Sequence, residues 1–228
     1  MAGLGCLLAA CIISQVDAYA GPSVDPAAVH QVAPVDRASW GDLQFQEFAG
    51  EMRNALTLSG FRVGVTTAET PDVVVLTEYG VGPPTTKSVT YNSTQYGWVD
   101  EPRSATVTPM GSSPRAGYRV ETTPSQVYKP VGVQTNTINK TTYVRRFTAV
   151  AYDYKALKAT NEHRQLWKVT VVSEGESSDL RAILPAMIAT ARPYFGKSTG
   201  KQVIVRTALN TPEVEAVRTG VAPAKKRK

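Results

Sequence analysis

The sequence predicts an α/β protein of the α+β type, with two helices packed on one face of a mixed or antiparallel sheet. Two amphipathic helix patterns and several short apolar strand patterns alternate along the chain. With 228 residues, of which 42% are hydrophobic, the chain is long enough for one domain with a hydrophobic core. We place this single domain at residues 42–210, interrupted by a long excursion at residues 80–140.

The first helix is predicted at residues 42–59. Its apolar residues recur at spacings of three and four, which places them on one face of a helix. They are Phe45, Phe48, Met52, Ala55 and Leu56. Ser39 or Asp42 can cap the start of this helix and Gly60 can end it, while Glu47, Glu51 and Arg53 are expected on its other sides.

Strands are predicted on both sides of the excursion. Residues 73–76 form a continuous apolar run, which is typical of a strand buried on both faces. A polar turn at residues 155–164 separates a long alternating strand from its partner. The predicted strands are residues 61–67, 73–76, 143–154, 166–172 and 203–205.

The second helix is predicted to start after Asp179, which caps it, and to end before a turn at residues 196–200. Its apolar residues again share one face: Leu180, Ile183, Leu184, Met187, Ile188 and Ala191. Pro185 lies within this pattern and is expected to kink the helix or to shorten its first part.

The excursion at residues 80–140 is rich in Thr, Ser, Gly and Tyr, and we expect weak hairpins there. Tyr91, Tyr96 and Trp98 are candidates for an exposed aromatic cluster within it. Such a cluster suits a sugar or a protein partner, because aromatic rings stack on flat apolar surfaces. We favour the alternative, in which these rings pack the excursion onto the sheet.

Residues 1–20 are predicted to be a leader that directs export. Small residues before Cys11 fit a lipoprotein signal, with Cys11 as the lipidated residue, whereas Ala18 to Ala20 fit ordinary signal-peptide cleavage after Ala20. We favour the lipoprotein, although the segment lacks the usual Lys or Arg. A third alternative is that it is an apolar strand or helix of the domain itself. The two cysteines, Cys6 and Cys11, both lie in this segment, so neither a disulfide framework nor a cysteine metal site is expected.

The ends of the chain are expected to lie outside the packed domain. Residues 21–41 contain Pro22, Pro26 and Pro34 and are predicted to be a tether. Residues 211–228 are predicted to be a flexible basic tail, because Lys225 to Lys228 supply four of the six net positive charges. Without that terminal cluster the charge is ordinary, so no nucleic-acid partner is expected.

Two blocks of this sequence resemble a bacterial envelope family known as domain of unknown function 4136. The first runs from Phe48 through Ser59-Gly60-Phe61 to Pro71-Asp72 and the aliphatic residues 73–75. The second is Leu166-Trp167, followed by Ser178-Asp179 and the last helix. The resemblance covers about half of the chain, and the usual Phe-Pro turn is replaced by Phe195-Gly196. It implies a lipid-anchored or periplasmic α/β domain and no particular activity.

The sequence does not carry a recognisable catalytic or metal-binding motif. Gly196-Lys197-Ser198 lacks the earlier glycine of a phosphate-binding loop, because Ala191 occupies that position. His30 and His163 are not spaced as metal ligands and are expected at the surface. We therefore expect no catalytic residue, no cofactor and no metal.

The favoured function is a non-catalytic cell-envelope protein, exported to the periplasm, that binds or scaffolds an envelope protein or polysaccharide. An anchored form would contact the membrane through its lipid and face the periplasm from the outer membrane, since Ile12-Ile13 lacks the aspartate associated with inner-membrane retention. The alternative is a periplasmic hydrolase that acts on an envelope polymer through carboxylates such as Glu78, Asp100 or Glu101.

Overall fold

A computed structural model describes residues 11–64, 70–112 and 117–223. The chain divides into two compact units. We call the first the body, which comprises the described residues up to Thr85 and from Thr141 onwards. We call the second the ribbon, which comprises Thr86–Lys140.

Seven strands form one sheet in the order β2-β3-β5-β6-β1-β7, with β4 paired to β5. The pair β2 and β3 is parallel, and the pairs β3–β5, β5–β6, β6–β1 and β1–β7 are antiparallel. The strands are β1 (Cys11–Ala20), β2 (His30–Pro34), β3 (Val73–Val81), β4 (Thr85–Pro109), β5 (Tyr118–Asp153), β6 (Gln165–Gly175) and β7 (Val203–Ala208).

Four α-helices lie in the described part of the chain: α1 (Leu43–Leu58), α2 (Tyr154–Thr160), α3 (Leu180–Ala191) and α4 (Pro212–Thr219). A mixed sheet with these helices confirms the α+β class. None of the described helices combines the length and the apolar character needed to cross a bilayer.

Both predicted helices form where their capping residues place them. The Asp42 side chain accepts a hydrogen bond from the Gln44 N–H at the start of α1, and Gly60 follows its end with a φ of 88°. The Asp179 side chain caps α3 in the same way through the Ala182 N–H. Pro185 does not shorten the first part of α3, which runs from Leu180 to Ala191 with the proline inside it.

The core lies on one face of the body sheet. Val73, Val75 and Thr77 are buried, while Val74 and Leu76 between them are half-buried. The prediction that residues 73–76 are buried on both faces is therefore wrong. Helices α1, α3 and α4, which contribute buried residues, cover one face of the sheet. The same alternation continues in β6, where Trp167 is 1% exposed.

The prediction that residues 1–20 stand outside the fold is wrong for residues 11–20. These residues form β1, which lies between β6 and β7 and is hydrogen-bonded to both. Ile12, Val16 and Ala18 point into the core and are at most 4% exposed. The third sequence alternative, an apolar strand of the domain itself, describes this segment. Residues 1–10 of the predicted leader lie outside the described residues.

The predicted tether at residues 21–41 is also structured. It contains β2, which pairs with β3, and a 3-10 turn at Arg37–Gly41. His30 of β2 is 1% exposed, so the prediction of a surface histidine is wrong there. Its Nδ1 lies 2.7 Å from the Ala28 carbonyl oxygen, and its ring packs edge-on against Phe61. Desolvation lowers the pKa of this imidazole.

The predicted basic tail at residues 211–228 begins with helix α4 instead. The Thr211 side chain caps this helix, and Gly220 ends it in the left-handed conformation. Val214, Ala216 and Val217 are buried against the other helices. The lysine and arginine cluster at residues 225–228 lies outside the described residues.

Two smaller predictions also differ from the structure. The polar turn predicted at residues 155–164 contains helix α2, which ends at Asn161 with a φ of 57°. In the strand predicted at residues 61–67, Val63 forms an isolated bridge with His30, and residues 65–67 lie outside the described residues.

Candidate functional site

The ribbon is a two-stranded antiparallel structure made by β4 and β5 rather than a set of weak hairpins. Its strands are joined side by side by polar side chains as well as by the backbone. These cross-strand hydrogen bonds join Ser88 to Asn139 (2.7 Å), Thr90 to Thr137 (3.2 Å) and Asn92 to Thr135 (3.0 Å). The high Thr and Asn content of the sequence therefore forms ladders between two exposed strands.

Three aromatic rings meet on this ribbon. The Tyr96 and Tyr128 rings are stacked with their centroids 5.7 Å apart, and the Trp98 ring lies 5.3 Å from that of Tyr128. All three remain open to solvent, with exposures of 55% for Tyr96, 66% for Trp98 and 57% for Tyr128. We call these three residues the aromatic cluster. It is a shallow apolar surface on a ribbon that also exposes aliphatic side chains such as Val131 and Val133. The favoured expectation that the Tyr96 and Trp98 rings are covered by packing onto the sheet is therefore wrong.

The aromatic cluster overlaps the surface predicted from sequence without coinciding with it. Tyr96 and Trp98 are brought together, whereas Tyr91 is exposed but its ring does not contact either of them within the described residues. Tyr128 joins the two rings from the opposite strand. Sequence reasoning missed Tyr128 because its partner depends on the register of β4 against β5, which local spacing does not reveal.

The carboxylates considered for a hydrolase are not arranged as a catalytic pair on the ribbon. Asp100 and Glu101 are neighbours in β4, so their side chains point to opposite faces of the strand. Glu101 forms an ion pair with Lys129 of β5. Glu78 is exposed on β3, within the body. None of these three residues is buried.

A second candidate site is an open cleft in the body, with a volume of about 640 Å³. It is formed by α1, by the start of α3 and by the last turn of α4. Its charged lining comprises Glu47, Glu51, Arg53, Asp179, Arg181 and Arg218. We call it the Glu51 cleft.

Glu51 is the unusual residue in this cleft because it is a carboxylate at a core position. Its side chain is 8% exposed, and its Oε2 atom has no hydrogen-bond partner in the described structure. Desolvation raises the pKa of Glu51 to about 7, and Glu47 adds to the rise, while Arg218 and Arg181 oppose it. Near neutral pH this carboxyl group is therefore divided between its neutral and ionised forms.

The other charges of the Glu51 cleft differ in how they are satisfied. Arg181 Nε donates to Glu47 Oε1 at 2.9 Å, and Asp179 caps α3. Arg218 donates to the Ala182 carbonyl oxygen at 3.4 Å, and no ion pair is found for Arg53 or Arg218 among the described residues. The sequence prediction missed this site because Arg218 lies in the presumed tail and Glu51 was expected on a solvent-facing side of α1.

The remaining predicted residues lie apart from both sites. Cys11 is exposed at the first residue of β1, opposite Ala208 of β7. His163 is exposed in the segment between α2 and β6. Within the described ranges, His, Cys, Asp and Glu side chains do not gather in groups of three or more that could hold a metal ion.

No protein-family model matches the chain, and no curated protein is similar to it at a significant level. Among solved structures, the chain is similar to a PDZ domain protein from Parabacteroides distasonis, with a TM-score of 0.37 and 14% sequence identity. The similarity covers 86% of this chain and 38% of that one, so the chain spans well under half the length of its structural neighbour.

Proposed function

We propose that this protein is a non-catalytic binding module of the bacterial cell envelope, which captures or scaffolds an envelope component through the aromatic cluster. The observation that carries the proposal is the meeting of Tyr96, Trp98 and Tyr128 on an exposed ribbon. Within protein interfaces, Trp and Tyr are enriched among the residues that contribute most to the binding energy. An envelope protein or a polysaccharide is the partner class that this surface suits.

The physical basis is the cost of leaving these rings in water. A Tyr or Trp side chain can bury about 150–250 Å² of its surface, and stacking on a flat apolar face removes a large part of that area from solvent. A two-stranded ribbon is also only marginally stable in water on its own. A partner that covers the aromatic cluster would therefore gain binding energy and stabilise the ribbon together.

The cellular setting of the proposal is export to the periplasm, with lipidation of Cys11 as the means of membrane attachment. Exposure of Cys11 at the first residue of β1 supports this attachment, because a lipid at this position would not enter the core. An anchored form would have no long spacer, since β1 begins at the lipidated residue. Cleavage after Ala20 would instead remove β1 from the sheet.

The test is binding to purified envelope components. Cosedimentation with peptidoglycan sacculi, and pull-down of solubilised outer-membrane proteins, would be measured for the natural protein and for the variant Tyr96→Ala/Trp98→Ala/Tyr128→Ala. We expect the triple variant to bind its partner roughly 10-fold more weakly or worse, because each removed ring is a candidate hot spot.

Tyr91→Ala is the matched control, because it also removes an exposed tyrosine of β4 but lies outside the aromatic cluster. We expect it to bind like the natural protein. Equal binding by the triple variant and the natural protein would contradict the proposed function. So would the absence of binding to both envelope fractions.

A further inference from the structure

We propose that the Glu51 cleft binds an oxyanion, the carboxylate or phosphate-type group of a small ligand, between Arg53, Arg218 and the carboxyl group of Glu51. The cleft belongs to the body, and its occupation does not depend on the aromatic cluster of the ribbon. The inference rests on one unsatisfied buried atom, on two unpaired cations and on the distribution of the neighbouring charges.

The unsatisfied atom is Oε2 of Glu51. It is fully buried and has no hydrogen-bond partner among the described residues, although Glu51 lines an open cleft. Buried polar atoms in folded proteins are almost always hydrogen-bonded, and an exception calls for a specific cause. Because Glu51 lines the cleft, a rotation of its carboxyl group would bring this oxygen to a ligand atom there, which would supply the missing partner.

The two cations are Arg53 of α1 and Arg218 of α4. Both are exposed at the cleft, and neither forms an ion pair with a carboxylate within the described residues. A guanidinium group presents several N–H donors in a planar fork that matches carboxylate and phosphate oxygens. Two of them at one cleft therefore favour an anionic ligand.

The other charged groups that face Glu51 do not reverse the preference of the cleft for an anionic ligand. From α1, Glu47 is neutralised by Arg181 of α3, and from the start of α3, Asp179 is engaged as the helix cap. A cationic ligand for Glu51 would also meet Arg53 and Arg218, which line the same cleft, and electrostatic repulsion would oppose its binding.

Glu51 takes part as a hydrogen-bond donor when it is protonated. A neutral carboxyl group has one O–H, which can donate to an oxygen of the bound anion. Ionised Glu51 would repel the same anion. Because the pKa of Glu51 is raised to about 7, binding should be stronger below pH 7 than above it.

The experiment titrates the full chain with sulfate and, separately, with acetate at pH 6 and pH 8 at constant ionic strength. Both probes keep their charge across this range, so a change in affinity reports on the protein. We expect at least one probe to bind at pH 6 and to lose about tenfold in affinity at pH 8. Preference for sulfate would indicate a phosphate-type ligand, and preference for acetate a carboxylate.

Three variants test the residues. Arg53→Gln/Arg218→Gln should abolish binding, while Arg206→Gln, which removes an exposed arginine of β7 outside the cleft, should leave it unchanged. Glu51→Gln should bind at pH 6 like the natural protein and keep that affinity at pH 8, because its amide donates at both pH values. Circular dichroism would confirm that each variant is folded.

Any of three results would overturn the inference. The first is that neither probe binds at pH 6, and the second is that the double arginine variant, shown to be folded, retains the natural affinity. The third is that the affinity of the natural protein is the same at pH 6 and pH 8. The aromatic cluster is intact in all of these variants, so their failure would leave the proposed envelope binding unaffected.

Discussion

Burial of the Glu51 side chain makes its ionised form costly, and this couples the stability of the body to pH. In an unfolded chain this carboxyl group has its ordinary pKa of about 4.5, whereas desolvation raises the pKa in the folded protein to about 7. The folded state therefore binds a proton more tightly than the unfolded state between these values. Stability consequently decreases as pH rises from about 4.5 to 7 and is constant with respect to this group outside that window.

Glu51→Gln should remove this pH-dependent loss. We expect the variant to exceed the natural protein in free energy of unfolding by about 3 kcal/mol at pH 8, with the difference vanishing below pH 4.5. Urea denaturation at a series of pH values would measure it. Glu162→Gln is the comparison variant, since Glu162 is exposed and lies outside the Glu51 cleft. A constant difference between Glu51→Gln and the natural protein at every pH would contradict the assigned burial effect.

Gly196 is required by both its backbone and its surroundings. Its φ is 66°, and a Cβ at this position would lie 2.8 Å from Val24 Cγ1 and 3.1 Å from Phe61 Cζ. Gly200 has a similar φ of 70° but open space around the same position. The pair therefore separates backbone strain from steric overlap in one turn.

We expect Gly200→Ala to cost about 1 kcal/mol, the strain of a left-handed alanine. Gly196→Ala should cost about 2–3 kcal/mol, because the methyl group also displaces Val24 and Phe61. Thermal unfolding of the two variants would show the difference. Equal costs would mean that the neighbours of Gly196 move aside without penalty.

At the scale of single elements, the sequence predicts best those whose signals are local. The apolar face of α1 lies within its sixteen residues, and its cap, Asp42, directly precedes them. Asp179 marks the start of α3 in the same way. Local signals fail where burial depends on distant partners. Glu47 and Glu51 are both glutamates of α1 that the sequence places away from its apolar face. Only Glu51 is buried, because α1 packs against α3 and α4.

Strand β1 and helix α4 show the same limit. An apolar segment at the start of a chain has the composition of an export signal, and its pairing with β6 and β7 involves residues at least 147 positions away. Helix α4 is short and rich in polar residues, so its buried residues Val214, Ala216 and Val217 give a weak periodic signal. The same limit applies to the aromatic cluster. Tyr96 and Trp98 lie close together in β4 and were identified from the sequence, whereas Tyr128 lies in β5 and was missed.

At the scale of the whole molecule, the position of β1 constrains how the chain can be processed. The turn at residues 196–200 also holds this strand, because the Ala20 N–H donates to Ser198 Oγ and the Ala18 N–H to Thr199 Oγ1. Cleavage before Cys11 would leave these contacts intact. Cleavage after Ala20 would remove them together with both ladders of β1.

We therefore expect a chain that begins at residue 11, with Cys11→Ser, to unfold cooperatively at nearly the same temperature as the full chain. A chain that begins at Gly21 should fail to fold. It lacks the buried side chains of Ile12, Val16 and Ala18 and both hydrogen-bonded ladders of β1. Their combined contribution is about as large as the net free energy of unfolding of a typical domain. Circular dichroism melts would compare the two chains. In cells, mass spectrometry of the mature N-terminus should then find diacylglycerol on Cys11 if the chain is exported and processed. A folded, abundant product beginning at Gly21 would contradict the placement of β1 in the sheet.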